Sequence, residues 1–541
     1  MTADSPAPTV EERKAKKKKA KLRSAWISFG GRIVAQIVGA MASVLLGIMV
    51  VTKYKLTERV PSAKDTASAV EAAHLVRHRA DRPSGELALA VLPLQNYSSD
   101  PKQAYFADGV TEALITDLAQ IKGLRVTSRT SSMAYKGTSK ALPDIARELG
   151  VDIVLEGSVA REGDRVRVTA QLIDADSDQH LWARSYDRAV RDVLSLQAEV
   201  ATAIAREINV TMAPRLEQRF ASLGTIDPAV YDVYLDGMRA WRTRTPDGLQ
   251  TALRRFADVI SRAPDFAPAH AGLADTYALL GLQPYRAIAP RDARVRAKAA
   301  AERAVALDDG LADAHGTLAW VRHLYEWDWS GADQEYRRAL ELNPGYATGH
   351  MRYSVYLADL GRASESATEA ARAVELDPLS AVVHRTIGMA HYLSRRFDLA
   401  TAAERRSLEL DPRNPSSVLV LGWALLAGGA PEKALATMDR VETAPSDEEQ
   451  RLAAIAIARH RLGQPSVAVA REALLRRPEP GADALLRLYA GTGDTDAAIA
   501  ALQRAIDDRL DVVTGMKVDP LFDGLRADPR FRSLQARVGL P

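Results

Sequence analysis

Four of the ten histidines occupy one position of a repeated pattern, and histidine is the commonest metal ligand in proteins. They are His270, His315, His350 and His384. One histidine per repeat separates neighbouring rings by about the width of a helix pair, ~10 Å. A shared zinc ion would need its nitrogen ligands within ~2.1 Å of one centre. We therefore predict that these side chains pack between helices and bind no metal.

Other patterns with catalytic potential are incomplete. His74 and His78 lie four residues apart, on one face of a helix, but no carboxylate or third histidine completes a metal site. Gly137-Thr138-Ser139-Lys140 lacks the spacing of a phosphate-binding P-loop. Neither G-x-S-x-G nor H-E-x-x-H occurs in the sequence. We expect a protein that is not an enzyme and has no catalytic residues, cofactor or metal site.

The elements that would position any site begin with an apolar segment. Residues 33–52 carry no charge, and twenty helical residues span ~30 Å, the thickness of the hydrocarbon core of a bilayer. We predict a transmembrane helix over 26–52. A cleaved signal peptide is the alternative, but its apolar core would be ~7–15 residues long and would end at small residues. Val50-Val51-Thr52 is a poor cleavage site, which favours an uncleaved anchor.

Basic residues precede this segment. Eight of the eleven residues from Arg13 to Arg23 are basic, and we expect Lys16, Lys17, Lys18 and Lys19 to contact anionic lipid. The positive-inside rule keeps the tail, residues 1–25, in the cytoplasm and places residues 53–541 in the periplasm. The predicted location is the bacterial inner membrane, with a single span.

Small residues recur every four positions through the span, at Gly31, Ala35, Gly39, Ser43 and Gly47. Such a stripe lets two helix backbones approach closely, and it favours a homodimer. The alternative is that small residues are common in the spans of alanine-rich proteins, in which case the span is a plain anchor.

Composition limits the function of the remaining chain. The tail carries a net charge of +5, which exceeds the +3 of all 541 residues, so the rest is slightly acidic and has no general footprint for nucleic acid. The sequence has no cysteine, which excludes disulfides and thiolate chemistry. We predict a polar juxtamembrane linker over 53–85.

Residues 86–213 predict a mixed α/β domain. Leu87–Leu94 is a nearly continuous apolar run typical of a buried strand, and 107–121 has an apolar helical face. Residues 153–159 and 166–173 alternate as the two arms of a hairpin. These signals predict that the domain folds by itself. Gly157, within a strand, predicts a close approach by a neighbouring group.

The stretches from Ala90 to Gly137 and from Ile145 to Arg188 resemble the TolB-like amino-terminal domain of many bacterial proteins. In that family the domain commonly lies between a cytoplasmic output module and tetratricopeptide (TPR) repeats. The output module is often a winged-helix DNA-binding domain or a class III nucleotide cyclase. The 25 residues before the present span are too few for either, so an inherited signalling function would need a partner subunit.

The third region is repetitive. Leu342-Asn343-Pro344, Leu376-Asp377-Pro378 and Leu410-Asp411-Pro412 recur at intervals of 34 residues, the period of the TPR helix–turn–helix unit. We predict an all-α TPR solenoid of seven to eight helix pairs over 214–516 and a capping segment over 517–541. Trp327 and Trp329 are expected to pack in the core; an exposed binding surface is the alternative.

The predicted protein is thus multidomain, with a single transmembrane helix, a mixed α/β TolB-like domain and an all-α TPR solenoid. Two functions follow. In one, it is a non-enzymatic, membrane-anchored periplasmic scaffold whose TPR groove binds a protein or peptide. In the other, it is the sensory or regulatory half of a transmembrane signalling system, of the kind that controls a cyclase or a transcription regulator, with its output module on another chain.

Overall fold

The computed structural model describes residues 86–221, 226–282, 285, 287–439 and 445–540. Within these ranges no helix is long and apolar enough to cross a membrane. The predicted span, the basic tail with Lys16–Lys19, the stripe from Gly31 to Gly47 and the linker up to residue 85 all lie outside the described residues. Those predictions therefore remain predictions.

The first described region is built on a six-stranded mixed sheet. Its strands are β1 (Leu87–Val91), β2 (Gln95–Asn96), β3 (Leu124–Val126), β4 (Ile153–Glu162), β5 (Arg165–Asp174) and β6 (His180–Ala189). The order is β3-β1-β4-β5-β6, and β2 pairs with the far part of β4. β1 runs parallel to β3 and β4, whereas β4, β5 and β6 form an antiparallel meander. The predicted hairpin is β4 and β5.

Helices cover both faces of this sheet. They are α1 (Ala104–Ala119), α2 (Arg129–Met133), α3 (Leu142–Leu149), α4 (Val193–Glu207) and α5 (Pro214–Ala221). Because successive strand residues point to opposite faces, Leu89 of β1 joins a core with α1 and α4, while Ala90 joins a smaller core with α3. β1 is therefore buried on both faces, as its apolar sequence predicts.

Gly157 of β4 has the close neighbour that the sequence predicts. A Cβ atom at this position would lie 2.0 Å from the carbonyl oxygen of Thr169 on β5 and 3.1 Å from a side-chain methyl of Leu94. A side chain there would force the two strands apart.

The second described region is a solenoid of eight helix pairs. The pairs are α6 (Pro228–Arg242) with α7 (Pro246–Arg262), α8 (Ala267–Leu280) with α9 (Pro290–Leu307), α10 (Ala312–Val321) with α11 (Trp329–Leu342), α12 (Ala347–Asp359) with α13 (Ala363–Leu376), α14 (Ala381–Leu393) with α15 (Phe397–Leu410), α16 (Pro415–Ala427) with α17 (Pro431–Met438), α18 (Pro445–Arg461) with α19 (Val467–Leu475), and α20 (Ala482–Thr492) with α21 (Thr495–Asp507). The first helices of neighbouring pairs pack side by side, and we call them the inner layer. Eight pairs agree with the prediction.

The core of the α/β domain does not end at residue 213, where the sequence places the domain boundary. Leu216 of α5 and Tyr231 and Leu235 of α6 belong to the same buried cluster as α1. A Cβ atom at Gly109 of α1 would lie 2.6 Å from Leu235, so the two helices are in tight contact. The first solenoid helix thus completes the core of the α/β domain. The domain that the sequence predicts to fold by itself therefore shares its core with the solenoid.

The carboxyl-terminal segment, residues 511–540, does more than cap the last pair. It contains two 3-10 turns, Asp511–Val513 and Pro520–Leu525, followed by α22 (Pro529–Val538). The Nε1–H of Trp329 donates to the carbonyl of Val538 at 3.1 Å, and the hydroxyl of Tyr392 donates to Asp519 at 2.6 Å. The segment therefore returns along the inner layer as far as the third helix pair.

Candidate functional site

The turns between helix pairs, which revealed the repeat in the sequence, hold the α/β domain. Asp377 accepts hydrogen bonds from the backbone N–H and the hydroxyl of Ser131 in α2, at 3.2 and 2.7 Å. The N–H of Leu379 donates to the same hydroxyl at 2.9 Å, and the N–H of Ser128 donates to the carbonyl of Leu376 at 2.7 Å. Asp377 and Ser131 are both buried, so these bonds are shielded from water.

Two further turns hold the end of α1. The N–H of Gly345 donates to the carbonyl of Ala119 at 3.3 Å, and a Cβ atom at Gly345 would lie 2.8 Å from that of Ala119. Arg219 pairs with Asp308 at 3.0 Å and donates to Gln120 at 2.8 Å. Three successive turns thus fix the α/β domain against the solenoid.

The four recurring histidines close the turns that precede their helices. In each case Nε2 lies within hydrogen-bond distance of the backbone carbonyl six residues earlier. Because a carbonyl oxygen can only accept, Nε2–H is the donor. The bonds run from His270 to Pro264 (2.8 Å), His315 to Asp309 (3.0 Å), His350 to Pro344 (3.0 Å) and His384 to Pro378 (2.9 Å). The described residues contain no group of three metal-ligating side chains placed to hold an ion. The histidines shape the inter-repeat turns.

Two of these histidines also contact an acid on the second helix of their pair. Nδ1 of His315 lies 2.6 Å from Glu335, and His350 pairs with Glu369 in the same way. Since Nε2 already donates to a carbonyl, the hydrogen bond to the acid requires a second proton shared by each histidine–glutamate pair. His384 has no such partner among the described side chains, and burial lowers its pKa.

We call the inner layer of the first three helix pairs (α6, α8 and α10) the open half of the groove. There α6 packs on α1, and beyond this contact a cleft lies between α1 and helices α8 and α10. It consists of two adjoining cavities of about 820 and 250 Å³. Residues that line both cavities include Glu112, Thr116, Tyr234, Met238, Leu311 and Asp313. The larger volume lies within the range of natural ligand sites, which concentrate at domain interfaces.

Carboxyl groups with unusual electrostatics line the cleft. Burial raises the pKa of Asp117 to about 7, although Arg219 opposes the shift. Burial also raises the pKa of Asp313, against a hydrogen bond from Tyr346. Desolvation of this kind favours the neutral acid, which can both donate and accept hydrogen bonds.

Charged groups also bridge the walls of the cleft. Glu112 of α1 pairs with Arg242 of α6 and lies 3.4 Å from Nε of Arg129. Arg244, at the end of α6, lies over the ring of Trp241 at 3.9 Å. The cleft therefore combines aromatic surface with fixed positive and negative groups, the features of a polar recognition site.

A buried ion pair lies where the open half of the groove ends, at the fourth helix pair. Arg352 of α12 donates to Asp275 of α8 at 2.6 Å and lies over the ring of Trp320 at 3.7 Å. Both ionic groups are almost fully buried. The pair ties the second helix pair to the fourth, across the third.

The rest of the inner layer, from α12 to α20, is covered by the carboxyl-terminal segment, and we call it the filled half. Val513, Phe522 and Phe531 of the segment are fully buried there. Arg509 lies over Trp327 at 3.8 Å and donates to the carbonyl of Tyr325 at 3.1 Å. Trp329 is buried in the same core. Trp329 packs inside the molecule, as predicted, whereas Trp327 is half-buried against the same core.

Family models match two parts of the chain. Residues 85–203 match the second domain of HilA/YgeH-like transcriptional regulators, and residues 321–381 and 385–449 match the tetratricopeptide repeat. The carboxyl-terminal region is therefore a TPR solenoid. The TolB-like assignment of the α/β domain remains a prediction.

One curated relative is 38% identical over 243 residues, which are 44% of this chain and 41% of the relative. It is named putative adenylate cyclase 3, from Rhizobium meliloti (strain 1021). The chain thus spans about two fifths of the length of this relative.

Solved structures are also similar to parts of the chain. A thermophilic TPR protein of Thermus thermophilus is 18% identical, with a TM-score of 0.31, over 36% of this chain and 99% of its own. The pilF protein of Pseudomonas aeruginosa is 20% identical, with a TM-score of 0.28, over 51% of this chain and 99% of its own. The family model, rather than these superpositions, identifies the repeats.

Proposed function

We propose that this protein is a non-enzymatic scaffold that binds an extended segment of a partner protein in the open half of its TPR groove. The observation that carries the proposal is the cleft of about 820 Å³ between α1 and the inner layer. TPR repeats are protein-interaction modules, and here one stretch of their groove is left uncovered beside a second domain. The partner is a protein or peptide, with no nucleic acid involved.

The geometry of the cleft supports an extended occupant. Two adjoining cavities share lining residues from both domains, so an extended segment can occupy both. Tyr234 and Met238 supply apolar contacts, and Glu112 and Asp313 supply hydrogen-bonding groups at intervals. A peptide backbone with alternating side chains makes contacts of these kinds.

A photocrosslinking experiment in cells tests this function. A photoreactive residue in place of Met238, inside the cleft, should capture a partner that mass spectrometry identifies. The matched control replaces Val469, which is 66% exposed on a second helix. Thr116→Trp, which fills the cleft, should abolish capture from a photoreactive site at position 234. Equal capture at positions 238 and 469, or capture unchanged by Thr116→Trp, would refute the site.

We further propose that the scaffold is anchored in the bacterial inner membrane by residues 26–52, with residues 53–541 in the periplasm. The basic residues from Arg13 to Arg23 and the uncharged run 33–52 support this arrangement. A reporter that is active only in the periplasm, fused after Pro541, should be active. A silent periplasmic reporter with an active cytoplasmic one would reverse the topology.

The small-residue stripe supports a homodimer through the span. Gly39→Ile and Ser43→Ile should each weaken association of residues 25–55 in a transmembrane-association assay, because bulky side chains keep the backbones apart. Equal signals for the native span and both variants would leave a plain anchor.

A second function, the regulatory half of a transmembrane signalling system, is favoured by two observations. A relative of part of the chain is named a putative adenylate cyclase, and residues 85–203 match a domain of transcriptional regulators. In this case the chain should co-purify with a membrane protein that carries a cytoplasmic output domain. Filling the cleft should then change the output of that partner, whereas a passive scaffold would leave it unchanged.

A further inference from the structure

A small cavity of about 230 Å³ remains within the filled half, between α14, α16, α18, α20 and the carboxyl-terminal segment. One wall is apolar and includes Met389, Leu419 and Trp423. Another part of the wall carries Asp447 and Gln450 of α18, which are three residues apart and so lie on one helix face. The cavity lining is thus amphipathic.

Two buried acceptors on this wall have no hydrogen-bond partner within the described part of the chain. They are Oδ2 of Asp447, a residue only 3% exposed, and Oε1 of Gln450, which is 9% exposed. The amide nitrogen of Gln450 donates to Asp483 at 2.8 Å, and this bond fixes its oxygen as the free atom. Buried acceptors are costly to leave unpaired, so an occupant that donates hydrogen bonds would be favoured.

The charged residues that line the cavity indicate that the donor is positively charged. Five aspartates line the cavity against two arginines, Arg385 and Arg487. Arg487 is engaged by Asp519 at 3.3 Å and lies over Trp423 at 5.1 Å. Burial raises the pKa of Asp447 to about 6, and the nearby Arg385 offsets this only in part. A positively charged donor would neutralise this excess of acid.

We propose that the cavity binds a primary ammonium group on a short aliphatic stem. The ammonium donates to Oδ2 of Asp447 and Oε1 of Gln450, and the stem lies against the apolar wall. A metal ion fits less well, because no three carboxylates or histidines among the described residues converge on one point. This site lies in the filled half and is independent of the proposed cleft.

A diamine and a lysine side chain present the same group, and titration calorimetry on the purified chain distinguishes them. The probes are putrescine, acetyl-glycyl-lysyl-glycine amide and, as the uncharged control, 1-butanol. Binding of putrescine alone assigns a free amine, and binding of the peptide assigns a lysine of a partner; either result supports the site. Absence of binding by both, or equal binding of butanol, overturns it.

Variants locate the binding. Asp447→Asn keeps the shape of the side chain and should weaken binding at least tenfold, while Asp398→Asn, at an exposed position on the same solenoid, should not change it. Ser416→Trp, which obstructs the cavity from a half-buried position, should also block binding. Circular dichroism and a melting curve check that each variant is folded. Unchanged affinity in both folded cavity variants would overturn the assignment.

Discussion

The open and filled halves of the groove are made of the same repeated unit and differ in what covers them. In the open half the inner layer faces α1 of the α/β domain across a cleft lined by carboxyl, aromatic and apolar groups. In the filled half it packs on Phe522, Phe531 and other apolar residues of the carboxyl-terminal segment. The inner layer therefore lines an open cleft in one half and is part of the core in the other.

The difference has a simple physical origin. A solenoid buries the apolar faces of each repeat against its neighbours, and its last repeat needs a cover. The carboxyl-terminal segment supplies that cover and extends it inward, up to the hydrogen bond between Trp329 and Val538. The α/β domain, by contrast, rests on α6 and on the inter-repeat turns, and a cleft remains between α1 and helices α8 and α10.

The substitution with the largest expected effect tests whether the carboxyl-terminal segment is part of the hydrophobic core. The side chain of Phe522 is fully buried, so Phe522→Ala should lower the free energy of unfolding by about 3–5 kcal/mol. Urea unfolding followed by circular dichroism measures this change. Leu475→Ala, at a position 40% exposed, is the control and should cost far less. A small loss for Phe522→Ala would mean that the segment is a displaceable occupant of the groove.

The next effect tests how the α/β domain is held. A double-mutant cycle of Ser131→Ala and Asp377→Ala should give a coupling energy of about 1–3 kcal/mol, because their hydrogen bonds are buried. Urea unfolding of the four proteins provides the energies. The exposed pair Arg147–Asp144 is the control, with expected coupling below about 0.5 kcal/mol. Additive effects of Ser131 and Asp377 would show that the docked arrangement does not depend on this turn.

Features that depend on local sequence patterns can be predicted from the sequence. Prolines at intervals of 34 residues located the repeats, and alternation located the β4–β5 hairpin. The contacts that create the two halves were not predictable in this way. Ser131 and Asp377 are 246 residues apart, and Trp329 and Val538 are 209 apart. Such pairs depend on the complementary shapes of folded elements, which leave no periodic signal in one sequence.

The turn motif illustrates this limit. Leu376-Asp377-Pro378 predicts the end of a helix because proline cannot continue it, and that interpretation is sufficient for the fold. It does not predict that Asp377 also accepts hydrogen bonds from Ser131. The spacing of the histidines likewise predicts packing between helices, but only the structure shows the hydrogen bond from Nε2 to the carbonyl six residues earlier.

Two partly buried groups, one in each half, should respond to pH in opposite directions. In the cleft, burial raises the pKa of Asp117 to about 7, so the stability gained from its neutral form is present at low pH and is lost as pH rises from about 4 to 7. In the fifth pair, burial lowers the pKa of His391 to about 4, so its contribution is present above about 6.5 and is lost as pH falls towards 4.

Each group should contribute about 1–2 kcal/mol after allowance for partial contact with solvent. The contributions of Asp117 and His391 are separated by measuring urea unfolding midpoints between pH 4.5 and 8. The proteins compared are the native chain, Asp117→Asn and His391→Gln. Asp117→Asn should gain stability relative to the native chain as pH rises, and His391→Gln should gain it as pH falls. Parallel curves for all three proteins would show that neither group contributes to the pH dependence of stability.

The smallest effect compares two arginines that stack on tryptophan, one in each half. Arg244 lies over Trp241 at 3.9 Å beside the cleft, and Arg509 lies over Trp327 at 3.8 Å beside the carboxyl-terminal segment. Both have a positive φ angle, 51° and 56°, so replacement by alanine leaves a similar backbone strain in each. The two substitutions are therefore closely matched.

Arg244→Ala should cost about 0.5–1 kcal/mol, the value of a cation–π contact with solvent access. Arg509→Ala should cost about 1 kcal/mol more, because it also removes the hydrogen bond to the carbonyl of Tyr325 at 3.1 Å. Urea unfolding of both variants measures the difference, and Arg244→Lys and Arg509→Lys show how much of each loss is charge. Equal losses would mean that Arg509 contributes stacking alone and that the junction between the third pair and the carboxyl-terminal segment is held by apolar packing.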